Sequence, residues 1–308
     1  MGQLVVNGSI DMTVNVGFYP LTPDFVFTAS STAIQLNTPF STIQTFSGSF
    51  TSSAGTVTSG VITSLRETFP NSGLSNYEGT GFSIDLSVYN AKVAALDSFG
   101  LRQAIYSGDD TISGGSGDDK LLGFDGNDLI TGSHGNDEIN GNQGNDQVYG
   151  GNGNDSLHGG QGNDVVSGDK FDDFATGSLG NDSVLGGDGN DYVYGGKGDD
   201  LVTGGAGNDY LSGDIGDDVL VGNDGRDLFA FRDGSGRDSV EDLLRAEGDQ
   251  IGIQININGT GIQSFADLTG GRLVPQADGV SLNLGDNNFV FLRNRTTSDL
   301  AAQDFFFF

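Results

Sequence analysis

The chain has no cysteine and no tryptophan, and its 308 residues include only two histidines, two methionines and five prolines. Without cysteine there is no disulfide framework, no thiolate metal site and no thiol nucleophile. Two histidines, His134 and His158, do not make a His-rich zinc site, and both read as surface residues. Basic residues are scarce as well, with 13 Lys+Arg against 42 Asp+Glu for a net charge of -29. A chain without a basic face excludes nucleic acid as a partner and a purely electrostatic dock on an anionic membrane. No apolar run approaches the length of a membrane span. Met1–Ile10 lacks a basic start and carries only Leu4, Val5 and Val6 as an apolar core, so no cleavable signal peptide is expected. H-E-x-x-H and G-x-S-x-G are both absent, which excludes the zinc-protease helix and the lipase nucleophile elbow.

The acid that is present is concentrated. Residues 1–104 carry 6 acids and 3 bases, residues 105–231 carry 25 and 4, and residues 232–308 carry 11 and 6. The middle segment also holds 32 of the 52 glycines. Three domains are expected with these boundaries: a β-rich 1–104 ending in helices, a repeat over 105–231 and a cap over 232–308.

Within the middle segment Asp recurs every nine residues, at Asp110, Asp119, Asp128, Asp137, Asp146, Asp155, Asp164, Asp173, Asp182, Asp191, Asp200, Asp209, Asp218 and Asp227. A disordered acidic tract needs no such period. Gly stands five residues before each Asp from Gly114 to Gly222, and two residues before each from Gly108 to Gly225, except at Phe171. Two residues after each Asp comes an apolar side chain, from Ile112 to Phe229. The residue just before each Asp is Asn or Asp, except Arg226. Each unit reads as a six-residue turn, with Gly supplying positive φ, followed by a three-residue strand with one inward side chain. One unit cannot bury that side chain alone, so units stack. Two units make one coil, so fourteen predict seven coils spaced ~4.8 Å apart, roughly 30–35 Å in all.

The pattern resembles the RTX nonapeptide G-G-x-G-x-D-x-U-x, the repeat of a calcium-binding parallel β-helix. Clean copies are Gly114-Gly115-Ser116-Gly117-Asp118-Asp119-Lys120-Leu121-Leu122 and Gly186-Gly187-Asp188-Gly189-Asn190-Asp191-Tyr192-Val193-Tyr194. The resemblance implies an all-β protein: a calcium-bound parallel β-roll, or two-sided β-helix, between an N-terminal β-rich domain and a C-terminal β cap. It also implies that each calcium takes Asp side chains from two rungs on the same side, while turn carbonyls complete the shell. The candidate carbonyl donors are Gly114, Gly117, Gly123, Gly126, Gly132, Gly135, Gly141, Gly144, Gly150, Gly153, Gly159, Gly162, Gly186, Gly189, Gly195, Gly198, Gly204 and Gly207. Alternate Asp residues fall on the same side, and like carboxylates that close repel unless a divalent cation lies between them. Calcium suits such a site because it accepts 6–8 oxygens, carbonyls included, in flexible geometry. Seven rungs per ladder leave six gaps, so about twelve ions are expected at most, against a segment charge of -21. Such a segment is expected to be expanded without calcium and folded with it.

Two features stand apart from the repeat. Phe171 occupies a turn-Gly position and Ala175 the inward position of the same unit, so a distorted or weaker site is expected at Asp173. Phe174, Tyr192, Tyr210 and Leu228 share one outward position in successive coils, with Tyr194 beside Tyr192. They either pack on one another as cross-strand pairs or form a strip for sugar or a partner.

The flanks read as β-structure. Strands are expected at Leu4–Ile10, Met12–Phe18, Phe25–Ala29, Thr42–Phe50, Thr56–Leu65 and around Phe82–Leu86, in a sandwich or a sheet. A helix from Val88 to Leu96 and a turn at Leu101–Tyr106 are expected to cover the first coil. Glu67 and Glu78 are the nearest thing to a carboxylate pair there, and scattered surface acids are the simpler reading. On the other side, Gly234–Val240 is a degenerate, out-of-phase copy of the repeat. Ile251, Ile253, Ile255 and Ile257 alternate as a strand, Ser264–Leu268 forms a short helix, and Val280–Phe291 forms a hairpin turning at Gly285–Asn288. The terminal Asp304-Phe305-Phe306-Phe307-Phe308 resembles the uncleaved signal of type I secretion substrates, which makes the type I secretion machinery a partner.

These readings predict a secreted, extracellular or cell-surface protein without enzymatic activity, whose roll folds on calcium outside the cell. Its role is then structural or adhesive, or assembly into a surface layer, matrix or filament. The alternatives are a calcium-dependent module binding extracellular polysaccharide, and a small enzyme domain carried by the roll.

Overall fold

In the computed structural model, residues 108–308 are described in full, preceded by the backbone of five strands. These are β1 (Phe27–Ala29), β2 (Ala33–Asn37), β3 (Ile43–Ser53), β4 (Thr56–Thr68) and β5 (Tyr77–Asp85). They pair antiparallel in sequence order. Of the two arrangements expected from the sequence, the described strands form the sheet. Strand β2 had no counterpart in the sequence reading. Arg66 stands opposite Glu78 and Glu67 opposite Tyr77 in the β4–β5 register. The expected strands Leu4–Ile10 and Met12–Phe18, the helix Val88–Leu96 and the turn Leu101–Tyr106 lie outside the described residues.

From Thr111 the chain winds into a roll with two parallel sheets. One sheet takes β6 (Thr111–Ser113), β8 (Leu129–His134), β10 (Gln147–Asn152), β12 (Val165–Lys170), β14 (Ser183–Asp188), β16 (Leu201–Ala206), β18 (Val219–Asp224) and β20 (Arg237–Val240). The other takes β7 (Lys120–Asp125), β9 (Glu138–Gln143), β11 (Ser156–Gln161), β13 (Phe174–Leu179), β15 (Tyr192–Lys197), β17 (Tyr210–Ile215), β19 (Leu228–Phe231) and β21 (Gln250–Ile253). Like positions of the repeat lie side by side 18 residues apart, as with Val148 between Ile130 and Val166. The inward side chains from Ile112 to Phe229 are all buried and form one continuous core. Strand β5 pairs antiparallel with β6, placing Gly79 opposite Ile112, so the N-terminal strands continue the first sheet of the roll.

Two expectations change here. Most strands are six residues long rather than three, and the turns between them are correspondingly short. The first Gly of each unit, assigned to the turn from sequence, is the second inward residue of the strand, giving a burial pattern of alternate buried positions. The roll also gains an eighth coil, because β20 and β21 continue both sheets beyond the last periodic repeat.

The C-terminal segment closes the roll. Strand β21 stops at Ile253, so the expected alternation does not continue as strand. Ile255 is exposed, and Asn256 and Asn258 adopt positive φ (59° and 47°) around a short 3-10 turn that buries Ile257. Helix α1 (Phe265–Thr269) begins with a Ser264–Asp267 capping box, which ties up backbone N–H groups that the helix cannot satisfy itself. Strands β22 (Leu273–Pro275), β23 (Gly279–Gly285) and β24 (Asn288–Arg293) extend the first sheet, with β24 parallel to β20. On β24 it is Val290 and Leu292, rather than Phe289 and Phe291, that are fully buried. The terminal phenylalanines form β25 (Phe305–Phe307), parallel to β21, and Asp304 pairs with Arg245 at 2.8 Å.

Candidate metal centre

The periodic Asp residues sit where each turn enters its strand, and each reaches back one coil. Asp128 Oδ1 accepts the Asp110 backbone N–H at 2.8 Å, and Asp137 Oδ1 that of Asp119 at 2.7 Å. The same bond repeats up both ladders to Asp227, whose Oδ1 takes the Asp209 N–H at 3.0 Å. The structure therefore brings the predicted Asp residues together, alternate ones on alternate sides.

From Asp128 onward one oxygen of each carboxylate is thus used and the other is not, while Asp110 in the first coil has neither oxygen partnered. In thirteen of the fourteen periodic Asp residues, Oδ2 is buried with no hydrogen-bond partner. The exception is Asp119, whose Oδ2 takes the Gly115 N–H at 2.7 Å. A buried charged oxygen without a partner is costly. Accordingly, burial drives these carboxyls far above the usual carboxylate range. Asp137 and Asp146 rise to about 6, Asp110, Asp128 and Asp164 to about 7, and Asp173 to about 8. Repulsion from neighbouring acids, such as Asp155 and Asp191 on Asp173, adds to burial.

The glycines explain themselves against this geometry in two groups. A Cβ on Gly114, Gly123, Gly132, Gly141, Gly150, Gly159, Gly186, Gly195 or Gly204 would overlap the Oδ2 of the Asp in its own turn and a Gly carbonyl of the next coil. At Gly123, for instance, those atoms are Asp128 Oδ2 and the Gly141 carbonyl. Two oxygens from successive coils thus converge on a face that only Gly leaves open. The other group turns the chain. Gly126, Gly135, Gly144, Gly153, Gly162, Gly198 and Gly207 have φ between 114° and 139°. Gly117 and Gly189 occupy the same position without it. Of the candidate carbonyls, those of Gly132, Gly141, Gly150, Gly159, Gly186 and Gly204 are the ones the structure places beside an Asp Oδ2.

This donor set fits calcium. It is all oxygen, it includes backbone carbonyls, and it is repeated without His. Among the described residues no three His, Asp or Glu side chains converge as a metal cluster, and the Gly carbonyls beside the Asp Oδ2 atoms offer further oxygen donors. When bound, calcium would supply positive charge to the unpartnered Oδ2 atoms. The chain's own part is to hold each carboxylate by one oxygen and to keep its second free.

A second ladder, unread in the sequence, runs along the outside in the opposite direction. The residue before each Asp accepts the backbone N–H of its counterpart one coil further on. Asp109 Oδ1 takes Asn127 N–H at 2.8 Å, Asn127 takes Asn145 at 2.8 Å, and so on to Asp217 and Arg237 at 3.0 Å. This is why Asn or Asp fills that position, and the signal was the unexplained Asn/Asp preference itself. Arg226 breaks the pattern where the other outer ladder ends. Its N–H donates to Asn208 at 3.1 Å, and its side chain bonds Gln250.

Phe171 was expected to distort the site at Asp173. Its backbone takes φ 77° and its ring points to solvent. Asp173 keeps both ladder bonds, at 2.7 and 2.8 Å. What changes is the outer turn. The Gly153 N–H to Lys170 carbonyl bond lengthens to 3.4 Å, against 2.8 Å for its neighbour Gly144 to Gln161. No outer-ladder bond joins Asp172 to Asn154.

The family model of the RTX calcium-binding nonapeptide repeat matches five stretches that together cover residues 106–240, from 106–139 to 203–240. Residues 106–240 are an RTX calcium-binding repeat array. The roll is therefore a calcium-binding RTX β-roll. Among solved structures it is similar to the extracellular lipase LipA from Serratia marcescens, with 17% identity and a TM-score of 0.35. That similarity covers 64% of this chain and 38% of the lipase chain. No curated protein matches the chain. No helix among the described residues is long and apolar enough to cross a membrane.

The outer face of the RTX roll places the aromatic strip. Phe174, Tyr192, Tyr210 and Leu228 are aligned neighbours on β13, β15, β17 and β19. The rings touch in a zigzag, with centroids 5.7 Å apart for His158–Phe174, 5.5 Å for Phe174–Tyr194 and 5.6 Å for Tyr194–Tyr210. Arg232 bonds the Tyr210 hydroxyl at 3.1 Å and lies over the Phe308 ring, which stacks on Phe306. The rings do pack on one another, yet Tyr192 stays 55% exposed. His158 is half-buried in this strip rather than a free surface residue, and His134 is exposed at the end of β8.

Proposed function

We propose that the protein is secreted without enzymatic activity and that its roll folds on calcium outside the cell to serve a structural, adhesive or assembly role. The observation that carries this is the set of buried, unpartnered Asp oxygens. At neutral pH and without divalent cations the two ladders repel and lose hydration, so the chain stays open enough to be threaded. Millimolar calcium outside matches the weak affinity class of extracellular modules. The acidic, phenylalanine-rich terminus supports export by the type I route. The long two-sheet stack, extended by antiparallel strands, supports a scaffold role. Circular dichroism during a calcium titration tests the first half: strand signal should appear with calcium and vanish with chelator. Size-exclusion chromatography tests the second, since assembly should occur only in calcium. A monomer under both conditions would remove the assembly role.

A second reading is favoured by the aromatic face. Tyr192 and Tyr210 border a groove of about 550 Å³ that Asn190, Asn208, Arg226 and Gln250 also line. Flat rings beside amide and guanidinium groups suit the apolar faces and hydroxyls of a polysaccharide. A glycan array probed with and without calcium would show retention on saccharides only with calcium. Uniform failure to bind would dismiss this reading.

A further inference from the structure

The sheet face that carries the tyrosines changes character along its length. Its outer row begins with Asp118 and ends with Asn190, Asn208 and Arg226. The outward strand row beside it begins with Lys120 and Glu138 and ends with Tyr192, Tyr210 and Leu228. In the first coils the charges satisfy each other, since Lys120 pairs with Glu138. In the last coils the rings enter the strand row, acid leaves the outer row, and a cation takes the final place.

The outer ladder does not explain Arg226. Asn and Asp hold that position because they accept a backbone N–H, and a guanidinium accepts nothing. Its side chain is nonetheless held in place. Nη2 donates to Gln250 Oε1 at 2.9 Å, and Gln250 Nε2 in turn donates to the Gln303 carbonyl at 2.8 Å. Gly248 lies against the stem, where an added Cβ would stand 3.5 Å from both Cγ and Cδ. In a chain of net charge -29, no carboxylate among the described residues pairs with Arg226. The groove bordered by Tyr192 and Tyr210 opens beside this exposed guanidinium. The acids that line the groove, Asp191, Asp209 and Asp227, are ladder residues exposed by 3% at most. Arg232 anchors the Tyr210 hydroxyl at 3.1 Å. The groove thus offers two anchored rings, amides and one oriented cation, and no exposed acid.

We infer that this groove takes an acidic polysaccharide, with a uronate carboxylate on Arg226 and sugar faces on Tyr192 and Tyr210. The planar guanidinium matches a carboxylate through parallel N–H bonds, and the flat rings match the apolar face of a sugar. A neutral glycan would leave the one oriented cation unused. An acidic peptide would use the cation but not two rings set side by side one coil apart. The inference rests on the polysaccharide reading of the aromatic face.

The test is an array of oligosaccharides in matched pairs, each neutral glycan beside the uronate made by oxidising its C6 hydroxyl, probed with the full chain in saturating calcium. The uronate of a bound pair should bind about tenfold tighter, the worth of one charge-assisted hydrogen bond. Arg226→Gln should lose that preference. Equal binding within every pair overturns the inference and leaves the polysaccharide reading standing. A preference kept in full by Arg226→Gln overturns it too, as does displacement of the uronate by a poly-glutamate peptide of equal charge. Should the variant fail to fold, salt decides on the unaltered chain. The preference should narrow as salt rises, because an exposed charge pair is screened, and a preference indifferent to salt overturns the inference. An array on which neither member of any pair binds would instead refute the polysaccharide reading itself.

Discussion

Asp128 holds the backbone of Asp110, one coil away, through one carboxylate oxygen at 2.8 Å and leaves the other oxygen buried without a partner. That single relationship, repeated along both sides of the roll, joins the fold to its ion. The bonded oxygen aligns the coils. The unpartnered one makes the aligned state unfavourable until positive charge arrives.

Acid should partly replace calcium. The ladder carboxyls are raised in the folded state, from 3.8 to about 6 at Asp137 and about 8 at Asp173. A group whose folded pKa is raised binds protons more tightly when folded. Its contribution to stability is complete below 3.8 and is lost as pH rises through about 6–8. In chelator, strand signal by circular dichroism should therefore be greater at pH 5 than at pH 8. A chelated chain equally unfolded across this range would contradict the cost assigned to the unpartnered oxygens.

Gly141 and Phe171 should respond in opposite ways to substitution. A Cβ at Gly141 would overlap Asp146 Oδ2 and the Gly159 carbonyl. Gly141→Ala is therefore expected to cost about 1–3 kcal/mol by overpacking and to weaken calcium binding. Phe171 sits at φ 77° with its ring in solvent, a conformation that costs a side chain roughly 1–2 kcal/mol. Phe171→Gly relieves that strain and gives back part of it in backbone entropy, for a net gain of up to ~1 kcal/mol. Thermal melts in saturating calcium would check both signs.

The period, the inward column and the paired ladders were legible in the sequence because each has a fixed spacing from Asp. The extra coil was not. Asp238 was legible only as part of a degenerate, out-of-phase copy and Asp249 not at all, because both enter the ladders through loops of unequal length that break the period, and the three-dimensional register is what aligns them. The strand length was misread for a related reason. Gly at the second inward position looks like turn chemistry, whereas Gly stands there because a carboxylate lies against its Cα. Ile255 kept the alternation of a strand, but Asn256 at φ 59° turns the chain out of the sheet.

The aromatic face should be separable from the roll. Tyr192 is 55% exposed, and Tyr192 and Tyr210 stand on outward positions whose inward neighbours, Val193 and Leu211, carry the core. Tyr192→Ala with Tyr210→Ala removes ring contacts worth about 0.5–1.5 kcal/mol per pair and should leave calcium-induced folding intact. Binding to a saccharide, or calcium-dependent self-association, should fall at least tenfold by isothermal titration or sedimentation. Unchanged binding would mean that the rings serve only one another.

Removing the cap tests how far the roll depends on it. A chain ending at Phe231 loses β20 to β25 and leaves Leu220 and Phe229, both fully buried, facing solvent at the end of the stack. It also leaves the β18 and β19 edges unpaired, and unpaired parallel edges invite pairing with other chains. In a stacked repeat each coil gains stability from its neighbours, and an end without a cap propagates poorly. The shortened chain should require at least tenfold more calcium for half-maximal strand signal and should aggregate on folding. Adding residues 232–308 back as a separate chain should not restore the original midpoint, because pairing then carries the entropy of association. If the shortened chain folds at the original calcium concentration, the roll does not depend on the cap, and the periodic coils order themselves.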